Sequence, residues 1–449
     1  MQARKMLEIA PYSASMLHYN KAMSAVPMPQ SKISKPVRAS ARLNDVHYEI
    51  RGELTRRALE LEAAGRDIVK LNIGNPGLFG FEVPEHVRDA LINNIGRSGA
   101  YCHQQGLAAA RAAIAAQQLS RGVGSANARR VFIGNGVSEL IDMSLRALLD
   151  LGDEVLLPSP DYPLWSAATV LNDGHAVYYP CPASRGHLPD PYEVEALITP
   201  RTRALVLINP NNPTGAMYPR ELLQALARVA ERHGLVVMSD EIYDGIVYDD
   251  AQFVPFASIA PELPVLTFGG LSKMQRACGY RVGWVSLSGT ATQLGELEGA
   301  FDLLAALRLC ANVPGQWAIE PALHGPDTIS VLTASGGRLH EARQAVIDAC
   351  AQSSFLELVA PDGALYAFPS VRRDTLPEFD DAAFALDLLE RESVLVVPGS
   401  GFNFPARNHF RITLLPQPAQ LRDVFARIER SLERMAAKAG RQAAALHVA

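Results

Sequence analysis

Disulfide chemistry is the first thing the sequence argues against. Its 449 residues hold five cysteines, scattered and odd in number, which is not the pattern of a disulfide framework and fits a reducing, cytoplasmic setting. Long apolar runs are also missing. None approaches the ~20 residues a membrane-spanning helix needs, and the N-terminal stretch has no continuous apolar core of the kind a secretory signal requires. Nor is there an excess of positive charge. Lys and Arg number 42 against 47 Asp and Glu, a formal net charge of −5, so no broad basic surface for nucleic acid is implied. Carboxylates are nearly absent from residues 1–35, where Glu8 stands alone among Met, Ser, Pro and Lys. We read that stretch as a flexible tail. The alternatives are an organellar transit peptide, which is likewise basic and acid-poor, and an over-long start with Met23 or Met28 as the true beginning.

Hydrophobic material is plentiful. At 48% of this length it suffices for a large core and more than one domain. Residues 44–64 carry Ile50, Leu54, Ala58 and Leu61 at helical spacing, closed by Gly65. Residues 68–73 alternate as a short strand and lead into Gly74-Asn75-Pro76-Gly77, whose backbone can approach a ligand closely. Pro84 opens a helix, and a turn with Tyr101 and Gly106 precedes an Ala-rich helix from Leu107. From about residue 130 strand, loop and helix alternate. The runs 131–133, 155–157, 204–208, 235–238, 265–268 and 282–287 are short and almost wholly apolar. Such strands between helices predict a parallel sheet covered on both faces, in which ligands bind outside the carboxyl ends of the strands. The chemically suggestive motifs cluster at such ends. Helices follow to about residue 353, broken at Pro314-Gly315. Mixed α+β sequence closes the chain, with strands at 364–368, 393–397 and 410–414, a helix at 381–391, and a last helix that turns Ala-rich near Arg434 and should fray. The expected organisation is a tail (1–35), a segment 36–77 packing with the small domain, a large domain 78–335, a small domain 336–433 and a helical tail 434–449.

Six places carry candidate chemistry. Lys273 closes Gly269-Gly270-Leu271-Ser272-Lys273. A lysine amine partly deprotonated by burial and neighbours forms Schiff bases with aldehydes; otherwise it is a surface lysine in a turn. Arg281 either clamps a phosphate through paired N–H donors or merely ends a strand. Gly136-Val137-Ser138 is an anion cradle of backbone N–H groups and a hydroxyl, or a plain N-cap. Tyr162, between Pro160 and Pro163, is a platform for a flat heteroaromatic ring, or a core tyrosine. Asp240 follows an apolar strand and must be hydrogen-bonded or ion-paired. Facing a pyridine nitrogen it would keep that nitrogen protonated, with Tyr243 and Asn212 placed to donate to a ring phenolate oxygen. Arg411 is a charge inside an apolar strand and needs a partner, either a substrate α-carboxylate or a structural salt bridge.

Taken in order, Tyr101 with Gly106, Gly134-Asn135-Gly136, Pro160-Asp161-Tyr162-Pro163, Asn212-Pro213-Thr214-Gly215, Asp240-Glu241-Ile242-Tyr243, Ser272-Lys273 with Arg281, and Arg411 resemble the class I pyridoxal-phosphate aminotransferases of fold type I. The resemblance spans about residues 36–432. Tyr48-Glu49-Ile50-Arg51-Gly52, Leu71-Asn72-Ile73-Gly74-Asn75-Pro76 and Arg308-Leu309-Cys310-Ala311-Asn312-Val313-Pro314 are similar to the alanine aminotransferase branch. The resemblance implies an α/β fold, a mostly parallel seven-stranded sheet sandwiched by helices, with a smaller α+β domain. It implies pyridoxal 5′-phosphate and a ping-pong exchange between an L-amino acid, alanine favoured, and a 2-oxo acid, 2-oxoglutarate favoured. It also implies a homodimer with its sites at the interface, without nucleic acid, membrane or metal.

In those terms Lys273 carries the cofactor and then shuttles a proton, while Asp240 pairs with the pyridine nitrogen. Tyr243 and Asn212 hold the phenolate oxygen, and Tyr162 stacks on the ring. Val137, Ser138 and Arg281 bind phosphate, Ser272 adds a cofactor contact, and Tyr101 reaches the neighbouring subunit's phosphate. Arg411, with the Gly74 backbone and Asn212, takes the α-carboxylate. This chain departs from many relatives in having Gly270 where a phosphate-binding serine precedes the lysine by three residues. Arg276 is a candidate replacement. Met274-Gln275 is also unlike the expected polar-aromatic pair. Arg308 either meets a distal substrate carboxylate or lies on a helix surface. Aspartate, aromatic, methionine or branched-chain donors remain alternatives, as does a lyase on the same fold. A cofactor-sensing regulator would add a basic helix-turn-helix domain of roughly 60 residues, for which the tail is too short.

Overall fold

Period-two alternation of apolar side chains within nearly continuous apolar runs lets a strand bury both faces, and seven such strands pair into one sheet. They are β1 (Val131–Gly134), β2 (Glu154–Ser159), β3 (His175–Pro180), β4 (Thr202–Ile208), β5 (Val236–Asp240), β6 (Val265–Gly270) and β7 (Gly283–Ser288), in the order β1-β7-β6-β5-β4-β2-β3. The computed structural model that gives this arrangement describes residues 36–48 and 52–446. The expected tail over 1–35, the motif residues Glu49, Ile50 and Arg51, and the last three residues lie outside the described residues. Residues 36–41 are exposed and belong to a contact unit separate from Arg42–Ala449.

Ala204, Val206 and Ile208 of β4 face one layer with Phe132, Phe268, Trp165 and Phe301. Leu205 and Leu207 face the other, against Leu223, Leu226, Val229 and Ala230 of the helix Arg220–His233. Only β7 runs antiparallel, pairing with both β6 and β1. That reversal decides the site. The beginning of β7 lies at the edge where its neighbours end, so Gly283 sits opposite both Gly134 and Gly270. Arg281, two residues earlier, is thereby delivered to the carboxyl ends of β1 and β6. A side chain at Gly283 would collide with the Val137 nitrogen and with Gly136, so the start of the helix Val137–Leu148 is pressed directly onto the sheet.

The chain's early and late segments meet. Val69–Lys70 pairs in parallel with Val394–Leu395. Tyr366–Ala367, Phe410–Thr413 and Val397–Pro398 make a three-stranded antiparallel sheet. The helices Arg338–Gln352, Asp381–Glu392 and Pro418–Leu446 close over one cluster that includes Leu71, Phe384, Ile412, Val424 and Ile428. No helix among the described residues is long and apolar enough to cross a membrane.

Several boundaries differ from the sequence expectation. The first helix is Glu53–Ala63, with Gly52 at its N-cap, rather than 44–64. The strand over 68–73 shortens to Val69–Lys70. The strand over 393–397 divides at Val396, because its halves pair with different partners. Pro314 begins a helical turn, Val313–Gln316, instead of interrupting one. Asn312 caps that turn by accepting from the Gly315 N–H at 2.9 Å, and proline is at home in a first turn. The final helix passes through Arg434 without a break, where Asp387 and Glu392 hold the guanidinium. The edge strand β3 was not anticipated, because its half-exposed face leaves a weak pattern.

Phe268 is fully buried and meets Trp165 edge-on at 5.3 Å between ring centroids. Phe268→Ala should cost about 3–5 kcal/mol, read as a drop in urea-unfolding free energy. A loss below about 1 kcal/mol would contradict this packing.

Candidate active site

A cleft of about 660 Å³ opens at the carboxyl edge of the sheet, and Val137, Ser138, Tyr162, Asn212, Asp240, Tyr243, Ser272, Lys273, Arg281 and Arg411 all line it. Gly74 and Tyr366 come to it from the early and late segments. Tyr101 does not line it. That side chain is 78% exposed.

At one end of the cleft, Gly136 holds the N-cap of the helix Val137–Leu148 at φ 89 and offers no side-chain cap. The residue must be glycine, since a Cβ would strike the Arg281 guanidinium. Arg281 itself takes φ 52, a left-handed conformation that costs a non-glycine residue about 1–2 kcal/mol. Its guanidinium donates to the carbonyls of Cys278 (3.0 Å) and Asn135 (3.2 Å), and Asn312 donates to its own carbonyl at 2.8 Å. Uncapped first-turn N–H groups beside an arginine suit a phosphate dianion. Ser138 lies inside the helix and does not cap it, which removes the plain N-cap alternative.

In the middle, Asp240 is 3% exposed. Its carboxylate accepts from Trp165 Nε1 at 3.2 Å and from the Ile242 N–H at 3.4 Å. Burial pushes it up to about 6, against the pull of those donors and of the Lys273 charge. Lys273 donates through Nζ to the Gly74 carbonyl at 2.7 Å and sits 5.9 Å from the Tyr243 ring centroid; it is a cleft residue, not a surface lysine. The Tyr243 hydroxyl donates to that of Tyr366 at 3.1 Å. Tyr162 packs with Phe402 and Phe404 and also faces the cleft; its hydroxyl is 3.5 Å from that of Tyr48.

At the far end, Arg411 is 1% exposed. It donates to Asn212 Oδ1 at 2.9 Å and to the Asn72 carbonyl, and lies over the rings of Tyr366 and Phe402 at 4.4 and 4.7 Å. Its Nε has no partner. The titratable groups around it are neutral tyrosines, not carboxylates. The structural salt bridge, one of the two alternatives for this residue, is absent among the described residues. A buried guanidinium without a counter-ion is poised for an anion brought from outside.

The residues at 66–428 match the family model for aminotransferase class I and II. The chain is a member of that family. It is 45% identical over 383 residues to the glutamate-pyruvate aminotransferase AlaA of Escherichia coli K12, covering 85% of this chain and 94% of that one. It is 47% identical over 392 residues to an alanine aminotransferase of Mycobacterium tuberculosis, covering 87% and 91%. Among solved structures, an Escherichia coli aminotransferase superposes with a TM-score of 0.87 at 43% identity, covering 89% of this chain and 99% of the other. A Pyrococcus furiosus alanine aminotransferase gives 0.84 at 34%, covering 88% and 100%. The fold is that of the fold type I aminotransferases, and the enzyme is an aminotransferase of a family that generally works with pyridoxal phosphate.

Two expectations about this aminotransferase are corrected. Arg276 is no phosphate contact. Its guanidinium is spent on the carbonyls of Glu82, Met274 and Thr328 and on the Thr328 hydroxyl, away from the cleft. Arg308 neither meets a substrate nor lies free on a surface, because it bonds Glu139 at 3.2 Å and the Ile133 carbonyl at 2.6 Å. The missing serine at Gly270 also has a cause. A Cβ there would come within 2.8 Å of the Val282 carbonyl and 3.1 Å of Ile242 Cδ1. Trp165 and Tyr366 were not foreseen as site residues. The only hint for Trp165 was a buried indole N–H that must find an acceptor. Tyr366 reaches Arg411 only through the pairing of its strand with Phe410–Thr413.

Glu241, next to Asp240, accepts from the Ser239 hydroxyl and the Phe256 N–H at 2.8 and 3.1 Å, and burial pushes it up to about 7. A carboxyl raised in the fold stabilises it while protonated, and that contribution is lost as pH climbs from about 4.5 to about 7. Glu241→Gln does not titrate, so its melting temperature relative to the parent should rise across that interval and level off above it. A difference that stays flat with pH refutes the assignment.

Proposed function

We propose that this aminotransferase binds pyridoxal 5′-phosphate in the cleft and moves the amino group of L-alanine to 2-oxoglutarate in a ping-pong reaction. The observation that carries the reading is a pair of buried, oppositely charged groups, Asp240 and Arg411, each without an ion-pair partner among the described residues, with the Lys273 amine lining the same cleft. Each is costly unless a ligand completes it. The alanine choice rests on the two alanine-type relatives and on a cleft whose described cationic side chains are Lys273, Arg281 and Arg411 alone.

Bound pyridoxal phosphate supplies an electron-withdrawing ring that stabilises negative charge at the substrate Cα. The protein's own part begins with anchoring: the Val137 and Ser138 N–H groups and Arg281 take the phosphate, with Ser272 beside them. Asp240, aligned by Trp165, holds a proton on the pyridine nitrogen. Tyr243 and Asn212 donate to the phenolate oxygen, and Tyr162 backs the ring. Arg411 takes the α-carboxylate through two N–H donors, with the Gly74 backbone and Asn212 alongside. Lys273 is the base and acid that moves the proton to and from Cα.

We further propose a homodimer in which Tyr101 reaches the neighbour's phosphate. The exposed Tyr101 and the exposed Leu303, Leu307 and Leu309, tied together by Gln104 on Asp302 at 3.0 Å, favour a covered face. Free thiols throughout the described residues fit a cytoplasmic location. The pairing of Val69–Lys70 with Val394–Leu395 supports grouping 36–77 with 336–433 as a small domain beside a large domain 78–335.

Lys273→Ala should lower turnover by about 10⁴-fold or more and abolish the visible absorbance of cofactor joined to the lysine. A pure variant that turns over at the parent's rate defeats the assignment. Arg411→Lys loses the two-pronged grip and should cut kcat/KM about tenfold to a hundredfold for every amino donor alike. A loss confined to one donor would place Arg411 at a side chain instead of the α-carboxylate.

A further inference from the structure

Asn403 stands outside the cleft yet reaches both of its halves through neighbours. It ends the turn Gly399–Phe402 at φ 51 and lines a separate hollow with Ser159, Tyr178 and Phe404. Its Nδ2 donates to Asp161 Oδ1 at 3.0 Å and to Ser166 Oγ at 2.9 Å. Its carbonyl accepts from the Ser159 hydroxyl at 2.8 Å. The adjoining Phe402 carbonyl accepts from the Asp161 N–H at 3.0 Å. These hydrogen bonds join 402–403 to 159–166 across 237 to 244 residues of chain.

Each side of this junction leads to a different part of the cleft. On one side, Asp161 precedes Tyr162, and Ser166 follows Trp165, whose indole N–H holds Asp240 at 3.2 Å. On the other, the fully buried Phe402 ring lies 4.7 Å from the Arg411 guanidinium and packs in one cluster with Tyr162. Asp161 is itself fully buried, and burial pushes its carboxyl up to about 7 against the pull of Asn403 and Ser166. A buried carboxyl is costly unless it is hydrogen-bonded. In return it fixes direction: apolar surfaces slide past each other, whereas a buried polar network has one geometry.

We propose that Asn403 is a positioning residue for the aminotransferase reaction, its junction with Asp161 and Ser166 holding Tyr162 and the Trp165–Asp240 pair at a fixed spacing from Arg411. The inference rests on the function proposed above, in which Tyr162 and Asp240 hold the ring and Arg411 takes the α-carboxylate. A donor's amino nitrogen and its carboxylate are joined through a single carbon. The ring and the guanidinium must therefore stand at one separation for both ends to be engaged together. Misplacing a positioning group by about 1 Å costs up to about a hundredfold.

Asn403→Gly removes both side-chain donors and keeps a backbone suited to positive φ. The purified variant is loaded with pyridoxal phosphate, and loaded sites are counted from the bound cofactor's visible absorbance. Per loaded site, kcat/KM should fall about tenfold for every amino donor. The visible circular dichroism of the bound cofactor should shrink as the ring's platform loosens. Asn403→Asp sets a second carboxyl against Asp161, where two like charges cannot both ionise, and should lose at least as much. Adding Asp161→Asn exchanges donor and acceptor, and this double variant should recover kcat/KM to within about threefold of the parent together with the dichroism. Should Asn403→Gly fail to fold, Asn403→Asp and its double variant carry the same comparison. A kcat/KM per loaded site and a dichroism that both match the parent, whatever the melting temperature, would mark a merely structural contact and overturn the proposal. So would a loss confined to one donor, or a double variant no better than Asn403→Asp. The parent tests the proposed function separately. If it moves no amino group from alanine, that reading fails, and the ratio of variant to parent on whichever donor it does use still decides the role of Asn403.

Discussion

Everything at this sheet edge depends on charge buried without an ion-pair partner among the described residues. Asp240 ends β5 in the interior with an indole and one backbone N–H as its donors, and Arg411 lies wholly buried against two aromatic rings and two neutral oxygens. Neither arrangement serves stability, because a desolvated ion is costly and neutral acceptors or donors repay only part of that cost. The rest of the fold makes the cost bearable. The ladder through Val237, Met238 and Ser239 holds the carboxylate's backbone between two parallel neighbours. The pairing of Phe410–Thr413 on both sides fixes the guanidinium's.

A second constraint is close approach. Gly134, Gly270 and Gly283 lie in register across three strands, and Gly136 follows at the helix start. Their lack of side chains lets a helix N-terminus, an arginine and the end of β6 occupy one small volume. The same crowding leaves no room for a serine at 270. The proposed phosphate end therefore offers backbone N–H groups and Arg281, with fewer side-chain hydroxyls than the resemblance led us to expect. It also depends on the loop 309–312, where Asn312 donates to the Arg281 carbonyl and to Asn135.

Much of this was legible in the chain. The apolar strands 131–133, 155–157, 204–208, 265–268 and 282–287 announce the large sheet, since a strand buried on both faces must be apolar throughout. The polar residues that follow them announce the edge where ligands bind. The partners of the short strands were not legible. Residues 68–73 and 393–397 read as strands, but nothing local says that Val69–Lys70 pairs with Val394–Leu395, across more than three hundred residues of chain. Likewise nothing local marks β7 as antiparallel, yet that direction is what brings Arg281 to the end of β1.

The order and identity of residues by themselves determined the fold class, the family, and the list of side chains able to hold a phosphate, a ring nitrogen and a carboxylate, because local hydrophobic periodicity and the chemistry of side chains at strand ends are properties of short stretches. Tertiary structure alone decided which cations line the cleft. Arg276 and Arg308 look as available in the sequence as Arg281 and Arg411, but the first two are consumed by carbonyls and a glutamate brought from distant segments, while the latter two face the cleft. A side chain's partners are set by long-range packing, and so is the difference between an arginine that holds the fold together and one left to hold a ligand.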